Sequence, residues 1–257
     1  MLENKVVVVS GVGPGLGRAI ALRSAQSGAD VVLAARTESR LVEVAAEVER
    51  TGRRALVVPT DITDDSSAAA LVKAATEAFG RVDALVNNAF AVPPMVDLGE
   101  VDLADVRAGF ETNVYAALRL TRLFAPALAE NRGSVVMINS AVIRHSKRPF
   151  GAYKMSKAAL LSLAQSLATE LGPRGVRVNT VAPGYIWADA LREGLGHVAA
   201  QRGITVQEIY DEIAATLDLG RLPEPDEVAD AVLFLVSPLA RAVTGHCLDV
   251  NAGEYHH

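Results

Sequence analysis

The sequence is short of cysteine, of aromatic side chains and of any long apolar run, and each shortage removes a class of protein. A single cysteine, Cys247, excludes an internal disulfide framework. Apolar stretches such as Val6 to Val9 are far too short to cross a bilayer. No charged region followed by an apolar core and a cleavage site opens the chain, so a cytoplasmic protein with no membrane partner is expected. Positive charge is also scarce: 25 Lys plus Arg face 30 Asp plus Glu, for a formal charge of -5. With no basic stretch to follow a phosphate backbone, nucleic acid is not an expected partner. The five histidines, His145, His197, His246, His256 and His257, are scattered, and no metal site is expected.

What the chain has is aliphatic bulk. Half of its 257 residues are hydrophobic, enough to bury a continuous core without staples. Short runs rich in Val, Ile and Leu recur at Val6 to Val9, Val31 to Ala35, Ala55 to Pro59, Ala84 to Asn87, Ser134 to Asn139, Val176 to Ala182 and Cys247 to Val250. They are continuous rather than alternating, as strands covered on both faces should be. Helical spacing fills the gaps: Leu41, Val44, Ala45 and Val48 fall at i, i+3, i+4 and i+7, and Gly52 ends the pattern. Right-handed crossovers then predict an α/β fold, a three-layer, Rossmann-type, doubly wound parallel sheet of about seven strands with helices on both faces. No linker or low-complexity tract divides residues 1–257, which read as a single domain. At about 185–222 the helical pattern continues with no strand between, which reads as a lid inserted over the sheet edge.

SGVGPGLGRA, residues 10–19, sets glycine at every second position, Gly11, Gly13, Gly15 and Gly17, around Pro14. The run follows the first strand and leads into a helix with Leu16, Ile20 and Ala21 facing inward. No capping side chain stands at Gly15 to Gly17, so the first N–H groups of that helix are free for an outside acceptor, for which a pyrophosphate is suited. The other reading is a glycine-rich turn with no ligand. At the end of the second strand, where a dinucleotide fold holds an acid for the ribose hydroxyls, stand Ala35 and Arg36. A missing carboxylate and a guanidinium favour NADP(H) over NAD(H), unless Arg36 is only the solvated start of the next helix.

YKMSK places Tyr153 and Lys157 at i and i+4, on one face of a helix. A phenol titrates near ~10, and a neighbouring ammonium is expected to lower that value toward neutrality. Ser140, at the end of the GSVVMINS strand, is placed to bring its hydroxyl to the same point.

NNA at Asn87 to Ala89, NV at Asn113 and Val114, and PG at Pro183 and Gly184 join the glycine loop, Ser140 and YKMSK in an order that spans the chain. Together they resemble the short-chain dehydrogenase/reductase family. The resemblance implies Tyr153 as general acid/base, with Lys157 lowering its pKa and holding the nicotinamide ribose. It implies Ser140 on the substrate oxygen, Asn113 supporting a water that relays protons to Lys157, and Asn87 as a brace. Cofactor contacts are implied at Ser10, Gly11, Gly15, Leu16, Gly17, Arg36, Asp61, Ile62, Asn87, Ala89, Tyr153, Lys157, Pro183, Gly184 and Ile186. Asp61 matches an adenine-contacting aspartate, and it equally suits a cap for a helix beginning near Asp64. The reaction implied is hydride transfer between a nicotinamide and a carbinol or carbonyl carbon, on an apolar or 3-oxoacyl substrate, in a homo-oligomer that is a tetramer or dimer. The alternative is a non-catalytic, dinucleotide-sensing regulator, which an intact Ser140, Tyr153 and Lys157 disfavours.

Three positions depart from the family pattern: Phe90 where NNAG has its glycine, Ala188 where a threonine is usual, and NAG at Asn251 to Gly253 in place of DGG. Phe90, Tyr185 and Trp187, with Met95, read either as an apolar substrate pocket or as packing under the lid.

Overall fold

The computed structural model describes residues 1–256; His257, one of the scattered histidines, lies outside them. Seven strands form one sheet in the order β3-β2-β1-β4-β5-β6-β7. They are β1 Val6–Ser10, β2 Asp30–Ala35, β3 Ala55–Pro59, β4 Ala84–Asn87, β5 Ser134–Ile138, β6 Arg177–Pro183 and β7 Cys247–Val250. Every pairing is parallel. The order reverses at β1: the chain winds outward through β2 and β3, then returns to the other side of β1 for β4. In such a sheet the crevice for a ligand opens beyond the carboxyl ends of the two strands at the reversal, here β1 and β4.

Alternation in the strands sorts side chains between two cores. Val7 and Val9, with Val31 and Leu33, join one cluster, and Val6 and Val8, with Val32 and Ala34, join the other. The first cluster is covered by α1 (Leu16–Gln26), α2 (Glu38–Glu49) and α9 (Pro225–Val236), the second by α3 (Asp65–Phe79), α5 (Ala116–Glu130) and α6 (Gly151–Leu171). Leu41, Val44, Ala45 and Val48 are the buried face of α2, as their spacing predicts. Ile20 and Ala21 of α1 are fully buried, whereas Leu16 is only partly covered at the edge of the first cluster.

Short α4 (Leu103–Phe110) runs into α5 through a π-helical turn, Glu111–Tyr115, that contains Asn113. Between β6 and α9 the chain forms α7 (Asp189–Arg202) and α8 (Val206–Ala214) and no strand. These residues gather around a small cluster of their own, Ala214, Leu217 and Leu222, against which Tyr185, Trp187 and Tyr210 pack. No helix of the described residues is long and apolar enough to cross a membrane.

Candidate active site

Gly11 continues the sheet past the end of β1, its N–H bonded to Ala34 O at 2.8 Å, with φ of +88°. A Cβ there would lie 2.4 Å from Ala89 N, so the loop presses directly on the segment leaving β4. Gly17 is equally confined, since its Cβ would meet Gly11 O at 2.3 Å. Gly13 faces open space, and a Cβ on Gly15 would only touch Ala188 at 3.4 Å. The four glycines thus divide: Gly11 and Gly17 let helix α1 approach the loop backbone, while Gly15 and Gly13 leave the surface above it open. α1 begins after Gly15 with no side chain bonded to its first turn and no acid in it, so its N-terminal donors and positive dipole end are available to an anion.

A cleft of about 470 Å³ opens above this loop, lined among others by Gly11, Arg36, Asp61, Ile62, Ala89 and Phe90. Ser10, Asn87, Leu16 and Ile186 are placed differently, in the packing that supports it. Ser10 is fully buried, Asn87 bonds Thr121 Oγ1 and Met137 Sδ at 3.3 Å, and Leu16 and Ile186 lie against the first core cluster. Asp61 does not cap α3: that cap is Asp64, whose carboxylate accepts from Ser67 N at 2.7 Å. Asp61 Oδ1 accepts from Thr63 N and Thr63 Oγ1 instead, and those bonds, with Arg36 nearby, hold its pKa below the ordinary carboxylate value.

Two residues of this cleft were not expected from the sequence. Arg40, one helical turn beyond Arg36, lines the same cleft, whereas Arg18 is held in a two-pronged bond by Glu47. Asn88 donates from Nδ2 to Gly11 O at 2.7 Å and so ties the end of β4 to the glycine loop. The i+4 spacing from Arg36 is the signal that marks Arg40; the role of Asn88 has no signal beyond its place beside Asn87.

At the carboxyl end of β5 the chain brings Ser140, Tyr153 and Lys157 together. Ser140 caps a 3-10 turn, its Oγ accepting from Val142 N at 3.2 Å, and it also hydrogen-bonds the Tyr153 phenol. Lys157 is 2 % exposed, donates to Ile138 O at 2.9 Å, and lies 5.7 Å from the Tyr153 ring centroid and 5.8 Å from that of Phe90. Burial pushes the Lys157 ammonium down to about 7. Burial also pushes the Tyr153 phenol well above its ordinary value, an effect that the bond from Ser140 only partly offsets. The expectation is a Tyr153 pKa lowered by Lys157; here the net direction is upward, because burial strips water from both groups and disfavours the phenolate and the ammonium alike.

Asn113 is held on three sides by its own side chain. Its Oδ1 accepts from Ala91 N at 2.8 Å, and Nδ2 donates to Ala91 O at 2.8 Å and to Ser156 Oγ at 2.9 Å. Ser156 Oγ in turn donates to Tyr153 O at 2.9 Å. With both amide protons committed, the side chain ties the turn carrying Tyr153 to the loop after β4. Asn139, unmarked in the sequence, does similar work: its Nδ2 donates to Lys157 O at 3.0 Å and its Oδ1 accepts from Ser140 N at 2.9 Å.

Of the aromatic residues, Phe90 is the one that opens onto the site, at 59 % exposed. Trp187 packs edge-on against Tyr210, centroids 4.6 Å apart, with the Arg192 guanidinium 4.8 Å from its ring, so it belongs to the α7–α8 packing. Tyr185 packs against the same cluster. Met95 is 41 % exposed. Among the described residues no group of His, Cys, Asp and Glu could hold a metal ion.

A dinucleotide fits this architecture on two observations of the chain itself: the loop and uncapped helix end where a Cβ is excluded at Gly11 and Gly17, and the buried Lys157 ammonium with one hydrogen bond for its three donors. The family described as enoyl-(acyl carrier protein) reductase matches residues 11–255. An uncharacterized oxidoreductase of Mycobacterium tuberculosis is 40% identical over 260 residues, covering 98% of this chain and 92% of that protein. A solved 7 alpha-hydroxysteroid dehydrogenase, complexed with NADH and 7-oxo glycochenodeoxycholic acid, superposes with a TM-score of 0.89 at 34% identity, covering 98% of this chain and 94% of the other. The L-sorbose reductase of Gluconobacter frateurii, complexed with NADPH and L-sorbose, gives a TM-score of 0.92 at 29% identity over 98% and 97% of the two chains.

Proposed function

Because the chain belongs to the short-chain dehydrogenase/reductase family, we propose that it is an NADP(H)-dependent oxidoreductase interconverting a ketone and a secondary alcohol. The observation that carries the reading is the convergence of Ser140, Tyr153 and Lys157 beyond β5, with the Lys157 ammonium 5.8 Å from the ring of Phe90, which lines the glycine-loop cleft. The nicotinamide, when bound, supplies or accepts the hydride. Ser140 holds the substrate oxygen, and Tyr153 exchanges a proton with it. A phenol kept neutral by burial is a proton donor, the state that carbonyl reduction requires. Lys157 offers its unmet donors to the ribose hydroxyls, and Asn113 acts as a positioning residue through Ser156.

Arg36 and Arg40 at the rim support NADP(H), because both guanidinium groups line the cleft and no acid ends β2. The two similar structures carry NADH in one case and NADPH in the other, so the preference rests on these residues. We read residues 185–222 as a lid on a single domain in a cytoplasmic homo-oligomer. Tyr115, Leu123 and Met155, exposed on the helices beside the site, supply an apolar surface for pairing in a dimer or tetramer. Of the proposed apolar wall, Phe90 remains after Trp187 and Tyr185 turn to the packing of α7 and α8.

The test is Tyr153→Phe with both cofactors and a panel of ketones and alcohols, read as nicotinamide absorbance. Turnover should vanish while NADPH binding persists. Near wild-type turnover in the variant would refute the assignment.

A further inference from the structure

Three strand ends lie side by side at the substrate edge. Ile138 of β5 pairs with Val181, and Pro183 of β6 pairs with Val250, so Ser140, Gly184 and Asn251 follow one another across the sheet. At a strand spacing of about 4.8 Å, the segment after β7 runs roughly 10 Å from Ser140, the reach of a substrate several carbons long. Glu254 closes that distance: its side chain is 8% exposed, and its Oε2 would stand 3.0 Å from a Cβ on Gly184.

Lys147 comes from the other side, in the loop beyond Ser140. Its Nζ is 3.8 Å from Glu254 Oε1 and 5.4 Å from the Tyr255 ring centroid. The Tyr255 hydroxyl is enclosed and interacts with the same two groups, the Lys147 ammonium and the Glu254 carboxylate. His145 seals the group from below, its ring 5.5 Å from that of Tyr255 and 5.4 Å from that of Phe150.

These polar groups are not needed to hold the segment in place. Leu219 N donates to Ala252 O at 3.1 Å, Gly253 N to Asn251 Oδ1 at 2.9 Å, and His256 Nε2 lies 2.7 Å from Asp218 Oδ2. A carboxylate, an ammonium and a phenol thus stand together as one mutually interacting group beside the reaction site.

We propose that Lys147, Glu254 and Tyr255 form a second anchor in the substrate site, one that binds the remote hydroxyl groups of a polyhydroxylated alcohol or ketone. The proposal rests on the oxidoreductase reading above. An alkyl tail laid over the three groups would strip their water and return no hydrogen bond. An anionic tail would suit Lys147 but meet the Glu254 charge. A hydroxyl donates to the carboxylate and accepts from the ammonium at once, and neighbouring hydroxyls extend the match to Tyr255. A site built to bond hydroxyls rejects the analogue that lacks them, because its own groups are then left unpaired.

The experiment compares sorbitol with 2-hexanol, the same six-carbon skeleton with and without the extra hydroxyls, as substrates with NADP+. The wild-type protein should prefer sorbitol in kcat/KM by tenfold or more. Glu254→Gln and Lys147→Met should each erode that ratio at least tenfold, chiefly through KM. A ratio that survives both substitutions, or a wild-type preference for 2-hexanol or for 6-hydroxyhexanoate over sorbitol, overturns the proposal. Saturation-transfer NMR of sorbitol on the Tyr153→Phe protein with NADP+ separates the two readings. Transfer that is present there and lost on adding Glu254→Gln supports the anchor even if neither alcohol is oxidised, and no transfer overturns it even if both are.

Discussion

The Lys157 ammonium donates to the carbonyl oxygen of Ile138 at 2.9 Å, its one hydrogen bond among the described residues. Burial brings its pKa to about 7, against about 10.4 in an unfolded chain. Between these values the unfolded chain binds a proton that the folded one does not, so stability rises with pH, by about 1.4 kcal/mol per unit. Denaturant titrations of the cofactor-free protein from pH 7 to 8.5 should show that slope, and Lys157→Met should flatten it. Above that range the half-buried Cys247 thiol, pushed up to about 11, adds the opposite slope. A wild-type stability that is level from pH 7 to 8.5 would show that the ammonium keeps its charge.

Arg36→Ala should raise the Kd for NADPH by roughly 10- to 100-fold, the range for a charge-assisted hydrogen bond, and that for NADH by less than about threefold. Arg40→Ala should act in the same direction more weakly. Fluorescence titration of the wild-type protein decides the matter first: equal Kd values for the two cofactors would remove the basis for the preference.

The glycines should separate fold from binding. Gly11→Ala and Gly17→Ala drive a Cβ into backbone at 2.4 and 2.3 Å and should lower stability by about 1–3 kcal/mol, as overpacking does. For a chain of this size that is a Tm lower by about 2–10 °C. Gly15→Ala should leave Tm in place and weaken cofactor binding, and Gly13→Ala should do neither. Thermal melts paired with cofactor titrations read both effects, and a Gly13→Ala protein that loses binding more than Gly15→Ala would show the register to be misassigned.

Asn113→Ala should lower kcat about tenfold or more, with the cofactor Kd nearly unchanged, because it frees the turn carrying Tyr153 from the loop at Ala91. Leaving the Ala91 N–H and C=O without their side-chain partner should also lower stability by about 1–3 kcal/mol. Single-turnover kinetics with saturating NADPH isolates the step; a variant with wild-type kcat would show that Tyr153 is positioned without this network.

The strands were legible to within a residue or two because a parallel sheet covered on both faces needs unbroken aliphatic runs; a further such run, Ala231 to Val236, belongs to the capped helix α9. Ser140, Tyr153 and Lys157 were legible as a motif, and the structure brings them to one point. Less could be read wherever a residue acts through a partner distant in sequence. The bonds from the Asn113 side chain to Ala91 and Ser156 have no signal in the sequence, and of the two readings of Asp61 the cap falls away because Asp64 holds that place. Trp187 could equally have faced substrate or packing, and only the position of Tyr210 decides it. The direction of the Tyr153 shift was misjudged because spacing reports a neighbouring charge but not the water both groups lose.

The reversal of strand order at β1 has an engineering consequence. Arg36 follows β2 and Ser140 follows β5, with β1 and β4 between them, so about 14 Å of sheet separates the two ends of the crevice. Substitutions that far apart, sharing no partner, combine additively to within a few tenths of a kcal/mol. Variants selected at the β2 rim for one dinucleotide and variants selected beyond β5 to β7 for one substrate can therefore be crossed without re-optimisation, each half of the sheet acting as an exchangeable part.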